Sequence, residues 1–266
     1  MLLLMRYGAE RLLYRIGQSR FADQFILKGA TLFLVWYGYA YRATKDIDLL
    51  GIGNSDPERL SLLFRELCSQ DTTDVDGLVF PADAVQVTTI QKALEFTGVR
   101  VTLRALLERV RIDLQVDIGF GDAAEPHPER ITFPTLLEMP APVIIAYQKY
   151  TVLAEKFMAI ATLGMANSRM KDFYDICIML RTMQLDTTVL TETIQATFKA
   201  RNNALPKVLP AILADESLGN DIKIAQWNAF THRSVLSVPI GEWSDVIAEI
   251  RLSMKPVFKK LGISEG

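Results

Sequence analysis

ATKDIDLLG, residues 43–51, sets two aspartates one residue apart in an otherwise apolar run. Read as a strand, it puts Asp46 and Asp48 on one face with Thr44, and Ile47 and Leu49 on the other, because side chains alternate with a period of two. The apolar pair belongs in a core. The carboxylates then lie about 6.5–7 Å apart at their Cα atoms and repel each other unless a cation lies between them. Two readings follow: a solvated strand end, or a metal site. Mg²⁺ suits the second, since it prefers carboxylate oxygens and keeps positions open for substrate phosphates.

Working outward, Phe25-Ile26-Leu27 reads as a short strand broken at Gly29, with a helix opening at Ala30 or Thr31 and running to Gly38. A helix N-terminus carries unpaired N–H groups and partial positive charge, which suits phosphate. Lys28 stands beside it, and Thr31 is placed to cap it or contact the phosphate. Downstream, Val99–Leu107 and Arg109–Phe120 read as a tight antiparallel hairpin. In its second strand, RIDLQVDIGFGD (111–122), Ile112, Leu114, Val116 and Ile118 share one face, and Asp113, Gln115 and Asp117 the other. A third carboxylate from this strand would complete a two-metal clamp. Asp117 is the better candidate, near the strand end beside Gly119 and Gly121. Arg100, Arg104, Arg109 and Arg111 crowd the same hairpin. Charge pairing with the aspartates and a path for an anionic acceptor such as RNA both stay open.

The chain of 266 residues holds one large domain or two small ones, with half its residues hydrophobic and 23% charged, which excludes a disordered polymer. No apolar run reaches the ~18 residues of a membrane span. Met1–Met5 is too short an apolar run for a signal peptide. Cys68 and Cys177 fit buried thiols in a reducing cytoplasm, and two distant histidines, His127 and His232, build no zinc pattern. A net charge of −2 gives no bulk argument for nucleic acid. Helices are expected at about 5–17, 57–68, 150–164, 169–182, 188–200, 207–215, 221–233 and 241–260. The proline-rich stretch between residues 126 and 142 reads as a traverse. Mixed strands and helices followed by helices alone predict an α+β chain divided near residue 145. Trp36, Trp227 and Trp243 read as core anchors.

In the helical half, Lys156 lies between apolar neighbours, Val152–Ala154 and Phe157–Ala159, so its head must leave a mostly buried helix. Asn167-Ser168 reads as a helix start, placing Arg169, Lys171 and Asp172 in or near the next first turn. Surface lysines are the bland reading. The sharper one turns these heads into a cleft, where lysine suits a triphosphate and arginine a bidentate phosphate contact. Asp172 would orient Lys156 or bind a ribose or base, while Asp175 and Glu155 read as structural pairs.

The segments LKGATLF, RATKDIDLLG, LQVDIGFGD, FPTLL, LAEKFMAIATLGMANSRMKDFYDI and QWNAF occur in an order that resembles the AbiEii family, nucleotidyltransferase toxins of type IV toxin–antitoxin systems within the DNA polymerase β-like superfamily. The resemblance implies a nucleotidyltransferase core, a small mixed sheet with flanking helices over residues 1–145, and a C-terminal helical bundle over 146–266 closing the active-site cleft. It implies metal binding by Asp46, Asp48 and Asp117, with Mg²⁺ or Mn²⁺ as cofactor and an NTP as co-substrate. Lys28, Gly29, Thr31, Thr44, Arg169 and Lys171 fall at nucleotide-binding positions, and Lys156 and Asp172 at further catalytic ones. The expected reaction moves an NMP to an acceptor, with tRNA or another RNA favoured, in the cytoplasm and with a cognate antitoxin, a DNA-binding protein, from the same operon. A protein or small-molecule acceptor, or a non-catalytic nucleotide-binding protein acting through partners, stays open. Relatives often carry more helical sequence before the part that starts here at Met1, so a chain shorter at its N-terminus is expected.

Overall fold

The computed structural model describes residues 2–39, 41–70, 72, 76–91, 97–121 and 126–264. Asp122, which ends the RIDLQVDIGFGD segment, lies outside them. The chain is mixed α/β, with a mixed eight-stranded sheet and nine α-helices among the described residues. It divides into two compact units: Met1–Ala123 with Pro128–Tyr147, and Ala124–His127 with Gln148–Gly266.

The first unit holds the whole sheet. Its strands are β1 (Phe25–Lys28), β2 (Asp46–Gly51), β3 (Leu78–Val79), β4 (Gln86–Gln91), β5 (Thr97–Leu107), β6 (Val110–Phe120), β7 (Glu129–Thr132) and β8 (Val143–Ala146). They lie in the order β3-β5-β6-β2-β1-β8-β7, with β4 also paired to β5. The β5–β6 hairpin turns through Glu108 at φ 52° and sets Leu107 opposite Val110. β2 lies parallel to β6 and antiparallel to β1. Ile47 and Leu49 are buried on β2 while Asp46 and Asp48 are half-buried, as the alternation predicts.

Two expectations for this unit are corrected. The proline-rich stretch is not a bare traverse, because Glu129–Thr132 and Val143–Ala146 pair as strands, and β8 continues the sheet parallel to β1. Pro128 and Pro134 flank β7, and Pro140 and Pro142 precede β8, so the prolines bound strands and remove no ladder donor from them. The helix after Gly29 is also shorter than expected. A 3₁₀ turn, Gly29–Leu32, leads into α2 (Phe33–Tyr37), which Gly38 ends with φ 76°.

Helix α1 (Leu2–Gln18) buries Leu12, Leu13 and Ile16 completely. Its glycines let the backbone approach the sheet. A Cβ on Gly8 would sit 3.3 Å from side-chain carbons of Ile112 and Leu114, and one on Gly17 would sit 2.4 Å from the carbonyl oxygen of Val143. The same helix buries Arg15, which donates to both carboxylate oxygens of Asp76, at 2.7 and 3.3 Å, and to the Leu78 carbonyl at 3.1 Å. Asp76 also accepts from the Leu78 N–H, so this turn residue ties α1 to β3. Helix α3 (Pro57–Cys68) starts as predicted, with the Asp56 carboxylate accepting from Arg59 N–H at 3.0 Å, and sets Phe64 edge-on to Phe25.

The second unit is built from α4 (Lys149–Leu163), α5 (Met170–Thr182), α6 (Thr187–Ala200), α7 (Asp215–Leu218), α8 (Asp221–Arg233) and α9 (Trp243–Leu261). Phe157 meets Phe198 and Phe258 in its core, and Phe173, Trp227 and Trp243 form a second aromatic cluster. Both indoles donate to carbonyls, Trp227 to Gly241 and Trp243 to Ser217. The helix expected at 207–215 is replaced. Pro206 and Pro210 break it, Leu209 N–H bonds the Ser264 carbonyl, and only Ala211–Leu213 (3₁₀) and the short α7 follow. Cys68 and Cys177 are free and buried, and desolvation pushes their thiols up to about 11 and about 12. Among the described residues no helix is long and apolar enough to cross a membrane.

Gly17→Ala tests the seat of α1. In an ordinary helix interior this change stabilises by roughly 0.5–1 kcal/mol. Here the new methyl meets a backbone carbonyl that cannot rotate away, so we expect a loss of about 1–3 kcal/mol in urea unfolding.

Candidate active site

The registers of four strands put four charged residues in one row. Lys28 on β1 is the ladder partner of Asp48 on β2, Asp48 of Asp117 on β6, and Asp117 of Arg100 on β5. Asp46, two residues before Asp48, falls one pleat along on the same face, opposite Gln115. The opposite face of β6 carries Ile112, Leu114, Val116 and Ile118, all buried. The sheet therefore has an apolar side and a polar side, and the row lies on the polar one.

Gly29 sets the position of Asp48. It adopts φ 75°, a conformation that side chains rarely take, and a Cβ there would lie 2.6 Å from Asp48 Oδ2. The carboxylate thus lies against bare backbone. Lys28 Nζ is 5.7 Å from the centre of the Tyr147 ring and 4.0 Å from where a Cβ on Gly119 would stand, so Gly119 keeps open the space beside its ammonium. Thr31 is buried, and its hydroxyl donates to the Asp46 carbonyl at 3.4 Å. It steadies the start of β2 and does not present its hydroxyl at the surface. Thr44 is half-buried in the segment before β2.

Asp117 is buried and held by Arg100. Nε donates to Oδ1 at 2.8 Å and Nη2 to Oδ2 at 3.0 Å, with Gln115 Nε2 at 3.2 Å from Oδ1. Hydrogen bonds to Asp117 raise the already high proton affinity of Arg100, and the charges of Asp117, Asp46 and Asp48 add to this. Among the described residues no three Asp, Glu, His or Cys side chains converge closely enough to hold a metal ion. Asp46 and Asp48 have the chemistry for a divalent ion: two hard oxygen donors on one face, one of them in a cradle that a Cβ would fill. The next pair along the hairpin, Arg104 with Asp113 at 2.8 Å, is largely exposed. Arg109 and Arg111 are exposed.

The other candidate residues lie in the second unit and form their own cluster. Lys156 Nζ on α4 is 2.9 Å from Asp172 Oδ1 and 2.7 Å from Asp175 Oδ2, both on α5 and both buried. Arg169 Nε is 2.9 Å from Asp172 Oδ2, a close ionic contact without hydrogen-bond alignment. Asp175 is therefore a full partner of Lys156. Lys171 is exposed in the first turn of α5. Glu155 pairs with Arg201 at 3.0 Å.

A residue with no sequence signal holds this cluster's loop. Lys223 on α8 is buried, and its Nζ donates to the Asn167 carbonyl at 2.7 Å and to Gln226 Oε1 at 3.0 Å. Asn167 in turn accepts from Arg169 N–H at 2.7 Å. Burial pushes the Lys223 ammonium below the usual lysine range.

The fold is shared with solved structures. JHP933 from Helicobacter pylori superposes with a TM-score of 0.54 at 15% identity, covering 97% of this chain and 90% of its own. A "putative nucleotidyltransferase" from H. pylori gives 0.53 at 14%, covering 97% and 93%. No curated protein matches the sequence. The family model of the nucleotidyl transferase AbiEii toxin, type IV toxin–antitoxin system, matches residues 11–249. The chain belongs to the AbiEii family of nucleotidyltransferase toxins, a class of system that includes a cognate antitoxin.

The cluster on α4 and α5 makes stability depend on Lys156. Lys156→Met leaves two buried carboxylates facing each other, and we expect a loss of roughly 3–5 kcal/mol in urea unfolding. Adding Asp172→Asn and Asp175→Asn to that variant should restore part of it.

Proposed function

We propose that this protein is a Mg²⁺-dependent (or Mn²⁺-dependent) nucleotidyltransferase that moves a nucleoside monophosphate from an NTP to an RNA acceptor, tRNA first among candidates. The observation that carries the reading is the row Lys28–Asp48–Asp117–Arg100, with Asp46 beside it and the Gly29 turn beneath it. Asp46 and Asp48 would hold the ion, which when bound offsets triphosphate charge and favours the pyrophosphate leaving group. Gly29 exposes backbone at the edge of the site, and Lys28 adds a compact cation for phosphate oxygens. Thr31 and Thr44 act through β2, whose start Thr31 holds. In this reading the residues mainly position and stabilise charge, as phosphoryl-type transfer requires. Lys156 and Asp172 support activity by fixing α4 to α5, and Arg169 and Lys171 offer exposed cations at the head of α5. The reduced sequence context of buried thiols fits a cytoplasmic site of action.

The test is direct. The purified protein is incubated with each labelled NTP, Mg²⁺ and total cellular RNA or protein. Label in the tRNA band that falls at least roughly a hundredfold in Asp46→Ala supports the reading. Label in protein alone replaces RNA with a protein acceptor. No transfer with any NTP, together with undiminished toxicity of Asp46→Ala in cells, overturns catalysis. Gly29→Ala should lose transfer as well, since its methyl would displace the Asp48 carboxylate.

A further inference from the structure

We infer that Arg100 takes the place of a second metal ion, so that this site binds one divalent cation and not two. The inference rests on the reading of Asp46 and Asp48 as cation ligands and adds a count to it.

Asp48 and Asp117 are ladder partners on adjacent strands, with Asp46 one pleat away. Three carboxylates on one polar face need counter-charge. Two ions could supply it, which is the clamp the sequence suggests. The structure supplies part of it from the chain itself. Arg100, the ladder partner of Asp117 on the far side, meets both of its oxygens with a planar fork at 2.8 and 3.0 Å. Guanidinium stays charged at all working pH values, and its two parallel donors match a carboxylate. Gln115 takes a further position on Oδ1 at 3.2 Å. The three donors leave Asp117 at most one of its roughly four acceptor positions, so it cannot chelate a second ion through both oxygens, and no three metal-binding side chains converge among the described residues. Arg100 is also 38% exposed, so its guanidinium faces the polar side and is not sealed in the core. Its charge reaches Asp117 at no cost in ion concentration. It is a positioning residue: it fixes Asp117 and leaves Asp46 and Asp48 as the cation ligands.

Mn²⁺ binding without nucleotide tests this on the full chain, read from the loss of the free-ion paramagnetic resonance signal. The wild type should bind one Mn²⁺ per chain, and Asp46→Ala should abolish it. Asp117→Asn should leave that affinity within about twofold, since Asp117 is not a ligand. Arg100→Gln should gain a second Mn²⁺ by releasing Asp117, and adding Asp117→Asn should remove the gain. Arg100→Lys, which keeps the charge, should stay at one. Two ions on the wild type, or a lost ion in Asp117→Asn, overturn the inference, and neither measurement depends on how Arg100→Gln folds. One ion on the wild type with no gain in a folded Arg100→Gln overturns it while leaving the metal reading intact. No ion on any variant overturns both.

Discussion

Everything in the candidate site depends on one constraint, strand register. A one-residue slip between two strands turns every side chain to the other face. Here four strands must agree before Lys28, Asp48, Asp117 and Arg100 share a row. The agreement is enforced from the apolar side. Ile47 and Leu49 on β2, and Ile112, Leu114, Val116 and Ile118 on β6, are all buried, so slipping either strand would bury carboxylates and expose the core. The polar row is thus held by the hydrophobic residues beneath it, and its electrostatic repulsion is tolerated because that hydrophobic term is larger than the repulsion between partly solvated charges.

The second unit solves a similar problem by another route. Lys156, Asp172 and Asp175 bring charge between two helices. A buried ion cluster of this kind adds little net stability, but its loss on one side is costly. Its geometry is specific, because one ammonium reaches two carboxylates one helical turn apart on α5. The loop before α5 is set by Lys223 and Asn167, so the helix start that carries Arg169 and Lys171 is held from behind by α8.

Much of this was legible in the sequence, for identifiable reasons. β2, β5, β6, α3, α5, α6 and α9 carry clear two-residue or 3.6-residue periodicity, which local chemistry alone sets. β7 and β8 were missed because their prolines read as breakers, whereas they stand just outside the strands. The helix at 207–215 was overcalled because Pro206 and Pro210 outweigh the apolar pattern around them. Alternation puts Asp46 and Asp48 on the polar face of β2 and Asp117 on that of β6, and Lys28 is legible beside the Gly29 turn; that Lys28, Asp48 and Asp117 share one row comes from the strand pairing. The partner of Asp117 was not placed, although the signal was present. A two-residue turn at Glu108-Arg109 sets Leu107 opposite Val110, and counting back from it puts Arg100 opposite Asp117 and Arg104 opposite Asp113. Lys223 had no such signal, since its partners are a carbonyl and an amide from a distant loop and its own helix.

The parallel pairing of β2 with β6 also shapes how the protein comes into being. β1 and β2 are close in the chain and can meet early, carrying Lys28, Gly29, Asp46 and Asp48 together. Asp117 and Arg100 arrive on a hairpin that is itself local, and the two pieces join only by closing a long loop. Such distant contacts slow folding more than they weaken the final state. A chain emerging from the ribosome therefore carries two of the three aspartates well before the third exists. For a member of a toxin family, this sets an interval during synthesis in which the chain is present but its polar row is not yet assembled.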